Sequence, residues 1–501
     1  MAVQQLKRIR QLGKLEEISA VAHDIDFFTN TGVSVHYEAS RASSVFDLQN
    51  LIYVAVAEVL RLHPILFAIP VGFDTEEPYW ARLPSIDLRK NISFVERSQP
   101  TTVDGEGKDR ELDAILENQH NTKFSSEDGA LPVWRLVIVK DAGVQHRFTA
   151  SFIAHHAMSD GTGLTIFQKA FHKALDDTTT SCSPSQLELK AKPVILSSNS
   201  DPIAPSLEQL HSLPLPDTPP TQEPVTELKE WSGTPVAVPC KTRYTSLSIP
   251  APRTTSFTKE CKKNGVPLNA ALPALIAKLL YLNLPPSTEV LTCNIPLSLR
   301  SDLPSEIVDG ILGNFIDAFK VKLLRSELFV QGSSSNSSSP GTAKSDSDAP
   351  SFPSSSHESS AEIWPHAHKI QASTTLYYGH CSPTGEPYTN IAFFKNLPNL
   401  RPVLLSLLGT PRAESFEVSN LGTFTSPTNL KAKYGGGIWT AGKVVVSRCA
   451  YAAGAPLVIT LVSSTEGMVW GFTWQEGAVG EEVVEGVVKG VGEFFGTGKA
   501  G

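Results

Sequence analysis

Two stretches of this chain are too poor in apolar residues to join a packed core, and they decide how the rest divides. Residues 331–362, QGSSSNSSSPGTAKSDSDAPSFPSSSHESSAE, are almost wholly Ser, Pro, Gly and Asp. Such a composition cannot bury enough apolar surface to offset its ordering entropy, so a disordered insertion is expected there. Residues 178–240 repeat Pro and Ser, as in LPLPDTPPTQEPV, and read as a long extended crossover linker. A length of 501 residues exceeds what a single core organises. The expected division is an N-terminal domain over 1–177, the linker over 178–240, and a C-terminal domain over 241–501 interrupted by the insertion.

Periodicity inside these blocks alternates between two and 3.6, which predicts mixed α/β structure. GVSVHYEA alternates like a half-buried strand, and FDLQNLIYVAVAEVLRLHPIL has helical spacing that stops at His63-Pro64. PVWRLVIVKD and QHRFTASFIAHH read as neighbouring strands joined by a turn at Asp141 to Gly143. GLTIFQKAFHKAL follows as an amphipathic helix with Leu164, Phe167, Phe171 and Leu175 on one side. In the C-terminal block TRYTSLSIP predicts a strand, and NAALPALIAKLLYLNL a helix with Pro273 in its first turn, where a missing N–H costs little. A helix is expected around IWPHAHKIQA. APLVITLVSS and GMVWGFTWQ predict strands separated by Thr465-Glu466-Gly467.

Net charge narrows the partners. It is −8 with Lys and Arg scattered singly, so no basic face offers itself to nucleic acid. The six cysteines (Cys182, Cys240, Cys261, Cys293, Cys381, Cys449) have no CxxC spacing and read as reduced thiols; no metal site is expected. The N-terminus lacks the apolar stretch of a signal sequence, and no segment has the roughly 20 apolar residues of a membrane span, which makes cytoplasmic the expected location. LKRIRQL reads either as a short basic amphipathic helix touching a membrane surface or as a plain N-terminal arm.

The stretch FIAHHAMSDGTG carries the chemistry. Period two along RFTASFIAHH puts His156 on the side of Phe148, Ala150, Phe152 and Ala154, and His155 with Thr149 and Ser151. An inward imidazole at a strand end suits a general base that deprotonates a hydroxyl or amine; a core histidine beside a capped helix has the same spacing. Asp160 either caps the following helix or pairs with a cation, and Gly161 permits the bend between them.

HHAMSDG resembles the HHxxxDG motif of the CoA-dependent acyltransferase superfamily, which includes chloramphenicol acetyltransferase, the plant BAHD acyltransferases and the condensation domains of peptide synthetases. LGKLEEISAVAHDIDFFTNTGVSVHY, RLHPIL, LPVWRLVI, IPLSLRSDLP, ILGNFIDAF, VSNLGTF and VITLVSSTEGMVWGFTWQEG occur in the order of the fungal alcohol acetyltransferase branch. The resemblance implies an α/β (α+β two-layer) fold of two chloramphenicol acetyltransferase-like domains, with an active-site tunnel between them. It implies His156 as general base, Asp160 as its structural support paired with Arg300, and acyl-CoA, most often acetyl-CoA, as co-substrate with no bound cofactor. The partner is a small hydroxylated acceptor, and a monomer suffices. Arg300 also fits a solvated strand end. Ser419 and Asn420 are oxyanion candidates, although Asn420 to Gly422 equally fits a turn; Gly310, Gly313 and Asn314 match a glycine-asparagine segment that packing also explains. The DFGWG signature of the plant branch is absent, KYGGGIW (Tyr434 to Trp439) having no aspartate. A carrier-protein thioester as donor, or a repurposed member binding a hydrophobic metabolite, are the rival readings.

Overall fold

The computed structural model describes residues 5–39, 47–98, 107–124, 131–141, 144, 146–198, 200–216, 228–328, 363–429 and 437–497. The insertion at 331–362, the turn residues Ala142 and Gly143, much of LPLPDTPPTQEPV and the start of KYGGGIW lie outside them. The N-terminal part supplies β1 (Lys7–Gln11), β2 (Thr31–Ala39), β3 (Ala68–Val71), β4 (Tyr79–Arg82), β5 (Ser85–Asp87), β6 (Ile92–Glu96), β7 (Trp134–Lys140), β8 (Arg147–Ala154) and β9 (Val194–Leu196). The C-terminal part supplies β10 (Thr242–Pro250), β11 (Val290–Ser298), β12 (Ile316–Leu324), β13 (Phe416–Thr423), β14 (Trp439–Arg448), β15 (Leu457–Ser464) and β16 (Gly467–Gln475).

Two mixed sheets dominate, in the orders β14-β2-β8-β7-β6 and β10-β16-β15-β13-β11-β12. Each has its own core, as the α/β reading requires. Helices Leu48–Leu62 and Gly161–Ser181 cover the first sheet, where Phe152 stacks on Phe167 with ring centres 3.6 Å apart. Helices Leu268–Asn283 and Glu481–Phe495 cover the second, around Phe416, Trp470 and Phe472. Val137 and Ile153 of the first sheet meet Tyr244 and Val469 of the second in a further apolar cluster, which joins the sheets.

One strand changes sides. β14 lies between β13 and β15 in sequence, yet pairs antiparallel with β2, from Trp439 opposite Ala39 to Arg448 opposite Thr31. β2 is therefore an inner strand covered on both faces, and GVSVHYEA is buried nearly throughout rather than half-buried. Its polar residues are satisfied across the ladder: Ser34 bonds Ser151 at 2.8 Å.

Other expectations shift for local reasons. Helix Leu268–Asn283 begins early enough to put Pro273 in its second turn, not its first. Within the stretch expected to be extended, helix Gly161–Ser181 runs on and a second helix forms at Pro184–Lys190. Ser183 and Gln186 cap it reciprocally and Pro184 opens it, a capping box hidden in linker-like composition. LKRIRQL forms strand β1, paired with β4, with Leu6 and Leu12 buried, so the amphipathic helix does not exist. Among the described residues, no single helix is long and apolar enough to cross a membrane, no cluster of side chains is able to hold a metal ion, and all six cysteines are free.

Candidate active site

β8 ends at Ala154, and a turn over His155 to Met158 leads to Asp160, the N-cap of helix Gly161–Ser181. This ending overrules the parity argument. His156 belongs to the turn and not to the row of Phe152 and Ala154, and its ring lines a cavity of about 930 Å³ between the sheets. His155 takes the buried position: its N–H donates to the Val133 carbonyl (2.9 Å), its Nδ1 accepts the Ala157 N–H (3.0 Å), and its ring packs 4.6 Å from that of His23. Burial, then the neighbouring His23 and His156, hold His155 well below the usual imidazole range. It is a neutral ring that shapes the turn.

The His156 ring is directed to its own backbone carbonyl. The same carbonyl accepts from Asn314 Nδ2 at 3.0 Å, an amide that also lies 3.4 Å from Nδ1. Burial and then Arg448 lower its pKa from 6.5, against the opposing effects of that carbonyl, Asp160 and Glu417. A neutral imidazole in a cavity is able to take a proton.

The two roles weighed for Asp160 are both filled. Oδ1 accepts the Gly163 N–H (2.7 Å) as a helix cap. Oδ2 accepts the Phe315 N–H (3.0 Å), and Arg300 Nη2 reaches both oxygens at 3.3 and 3.4 Å. The Arg300 side chain is largely enclosed, with 9% of it exposed, and not solvated; Nη1 donates to the Val308 and Ile311 carbonyls and Nη2 to that of Gly313. Asp160 thus fastens the start of the helix to the segment that carries Asn314. Gly161 serves space rather than bending: its φ is ordinary, and a Cβ there would come 3.0 Å from the Leu421 side chain. Gly163 is the more constrained, because a Cβ would meet Ser159 Oγ at 2.1 Å.

Ser419 and Asn420, on β13, line the same cavity as His156. Asn420 is engaged in a turn, its Oδ1 accepting from Gly422 N (2.9 Å) and its Nδ2 donating to Asn269 (2.7 Å), while the Ser419 hydroxyl has no partner among the described residues. Gly310 has φ of +70°, and a Cβ on Gly313 would strike the Phe315 ring. Sequence reasoning missed three groups. Asn314 was noted only as part of a glycine-asparagine segment, with no link to His156, and Arg448 and Glu417, an ion pair at 2.5 Å in the cavity wall, carry no motif that marks them.

No family model matches the chain. Over 489 residues it is 40% identical to the probable alcohol acetyltransferase crmB of Aspergillus fumigatus, which covers 96% of this chain and 98% of that protein. The TRI3 trichothecene 15-O-acetyltransferase of Fusarium sporotrichioides has the same fold, with a TM-score of 0.68 at 13% identity over 97% of this chain and 94% of that one. So does the first condensation domain of the calcium-dependent antibiotic synthetase, with a TM-score of 0.57 at 12% identity over 98% and 97% of the two chains.

Proposed function

The chain belongs to the alcohol acetyltransferase family, and from that premise we propose that this acyltransferase moves an acetyl group from acetyl-CoA to a hydroxyl of a small alcohol or secondary metabolite, with His156 as general base. The observation that carries the reading is a neutral, positioned imidazole and an unpartnered Ser419 hydroxyl lining one cavity. In this scheme the ring proton is assigned to Nδ1, toward the residue's own carbonyl, which leaves the Nε2 lone pair free. It takes the proton of the acceptor hydroxyl as that oxygen attacks the thioester carbonyl carbon. The C–S bond then breaks, the sulfur leaves with the proton returned by His156, and the products are the ester and free thiol. No covalent acyl-enzyme is required.

Each remaining group has a part in this scheme. The Ser419 hydroxyl donates to the developing oxyanion, an interaction worth roughly 10² to 10³ in rate. Asn314 fixes the carbonyl that orients His156, and Asp160 with Arg300 holds helix and turn in register. Asp160 is a positioning residue; it is fully buried and not part of the cavity wall.

The test is thiol release from acetyl-CoA with a panel of alcohols, with the ester identified by mass. His156→Ala should lose at least about 100-fold in kcat, the range of a general base, while its thermal unfolding profile matches that of the wild type. Turnover by His156→Ala within a few fold of wild type would remove the base from His156.

A further inference from the structure

One part of the cavity wall presents hydrogen-bonding groups beyond those that the transfer chemistry engages. At the end of β14, Arg448 Nη1 donates to Glu417 Oε1 at 2.5 Å, and Asn294 Nδ2 donates to Glu417 Oε2 at 3.0 Å. The guanidinium carbon lies 5.2 Å from the centre of the Phe28 ring, which touches the His156 ring at 5.6 Å and the Tyr451 ring at 5.9 Å. All these side chains line the cavity. Phe28 therefore places the ion pair one aromatic ring away from the imidazole.

The pair does not behave as a pin between sheets. An arginine that serves structure alone distributes its donors among neighbours, as Arg300 does with five acceptors. Arg448 has one acceptor and its Nη2 has none among the described residues, while its Nε, like that of Arg300, is buried without a partner. The Tyr451 hydroxyl and Asn294 Oδ1 are likewise without partners there. Unmet donors and an unmet acceptor side by side on a cavity wall are suited to a ligand with its own hydrogen-bonding group.

Charge sets which group. Arg448 is compensated by Glu417, and Lys320 by Glu414 at 3.0 Å on the same wall. A carboxylate ligand would bring an uncompensated charge beside two glutamates, whereas a hydroxyl or carbonyl would not.

We infer that Arg448, Glu417, Asn294 and Tyr451 form an acceptor-recognition subsite, and that the acceptor is an uncharged molecule carrying a second hydroxyl or carbonyl besides the hydroxyl that is acylated. The inference rests on the acetyl-transfer reading above. A second oxygen accepts from Arg448 and Tyr451; if it is a hydroxyl, it donates to Asn294. A plain alkanol leaves these groups buried and unpaired.

Acceptors of equal chain length test this: alkanols, straight-chain diols of increasing length, hydroxyketones and hydroxy acids, each compared by kcat/KM with acetyl-CoA. In the wild type the best diol or hydroxyketone should exceed its alkanol by at least about tenfold, the value of one hydrogen bond to a charged group, while hydroxy acids gain nothing. Arg448→Met should bring the ratio close to one, and Tyr451→Phe should reduce it several-fold; the ratio within one variant is independent of how much of it folds. A wild-type ratio near one at every spacing overturns the inference and leaves the transfer reading intact, and so does a tenfold ratio that survives Arg448→Met. If no acceptor gives an ester, both fall.

Discussion

Burial and the Arg448 guanidinium disfavour a second proton on His156, and the opposing pull of its carbonyl, Asp160 and Glu417 does not restore the ordinary value. Because the lowered pKa belongs to a group that acts unprotonated, kcat/KM should stay flat as pH falls through 6.5 and decline only below it. A pH–rate profile reads this directly; a limb with its midpoint above 7 would contradict the assignment. At this scale the motif was legible. His155, His156, Asp160 and Gly161 stand within seven residues, and Arg300 has a recognisable strand end. Asn314 was not legible as a partner of His156, because 158 residues separate them and only the fold brings an amide to that carbonyl. The parity assigned to His156 failed for a physical reason: alternation holds only while a strand continues, and β8 stops two residues short.

Helix Gly161–Ser181 and the turn before it form the element on which the site depends. Gly163→Ala would force a methyl into Ser159 Oγ, next to the amide that Asp160 caps, and should cost about 1–3 kcal/mol. Adding Ser159→Ala removes that oxygen and should recover part of the loss; urea unfolding of the single and double variants measures both. The helix was readable from the apolar spacing of Leu164, Phe167, Phe171 and Leu175, all fully buried. β14 was not placed by any such signal. KVVVSR has the pattern of a strand, but nothing local states which sheet it joins, since that depends on an open edge of β2 four hundred residues earlier.

Taken over the whole molecule, several histidines are buried neutral. Burial lowers His23 and His63 to about 4 and His120 to about 3, and holds His155 lower than its ordinary value. Their unfolded forms take up protons near pH 6.5 and their folded forms do not, so the unfolded state binds more protons between about pH 4 and 6.5. Stability should be full above 6.5 and fall steadily as pH drops through that window, which thermal melts at graded pH will show. Asp113, raised to about 6 by burial, works in the opposite direction over the same window, so a melting temperature constant from pH 7 to 5 would mean that the carboxylates offset the histidines. The polar stretches and the length pointed to more than one block, the two sheets followed from the family resemblance, and the exchange of a strand between the sheets was in neither.

That exchange governs how such a chain is able to change over time. A segment of one half completes the sheet of the other and ends on Arg448, so neither half is a unit that recombination can replace on its own. A chimera joined near residue 240 would receive β2 from one parent and β14 from another, and residues 31–39 and 439–448 are bound to be inherited together.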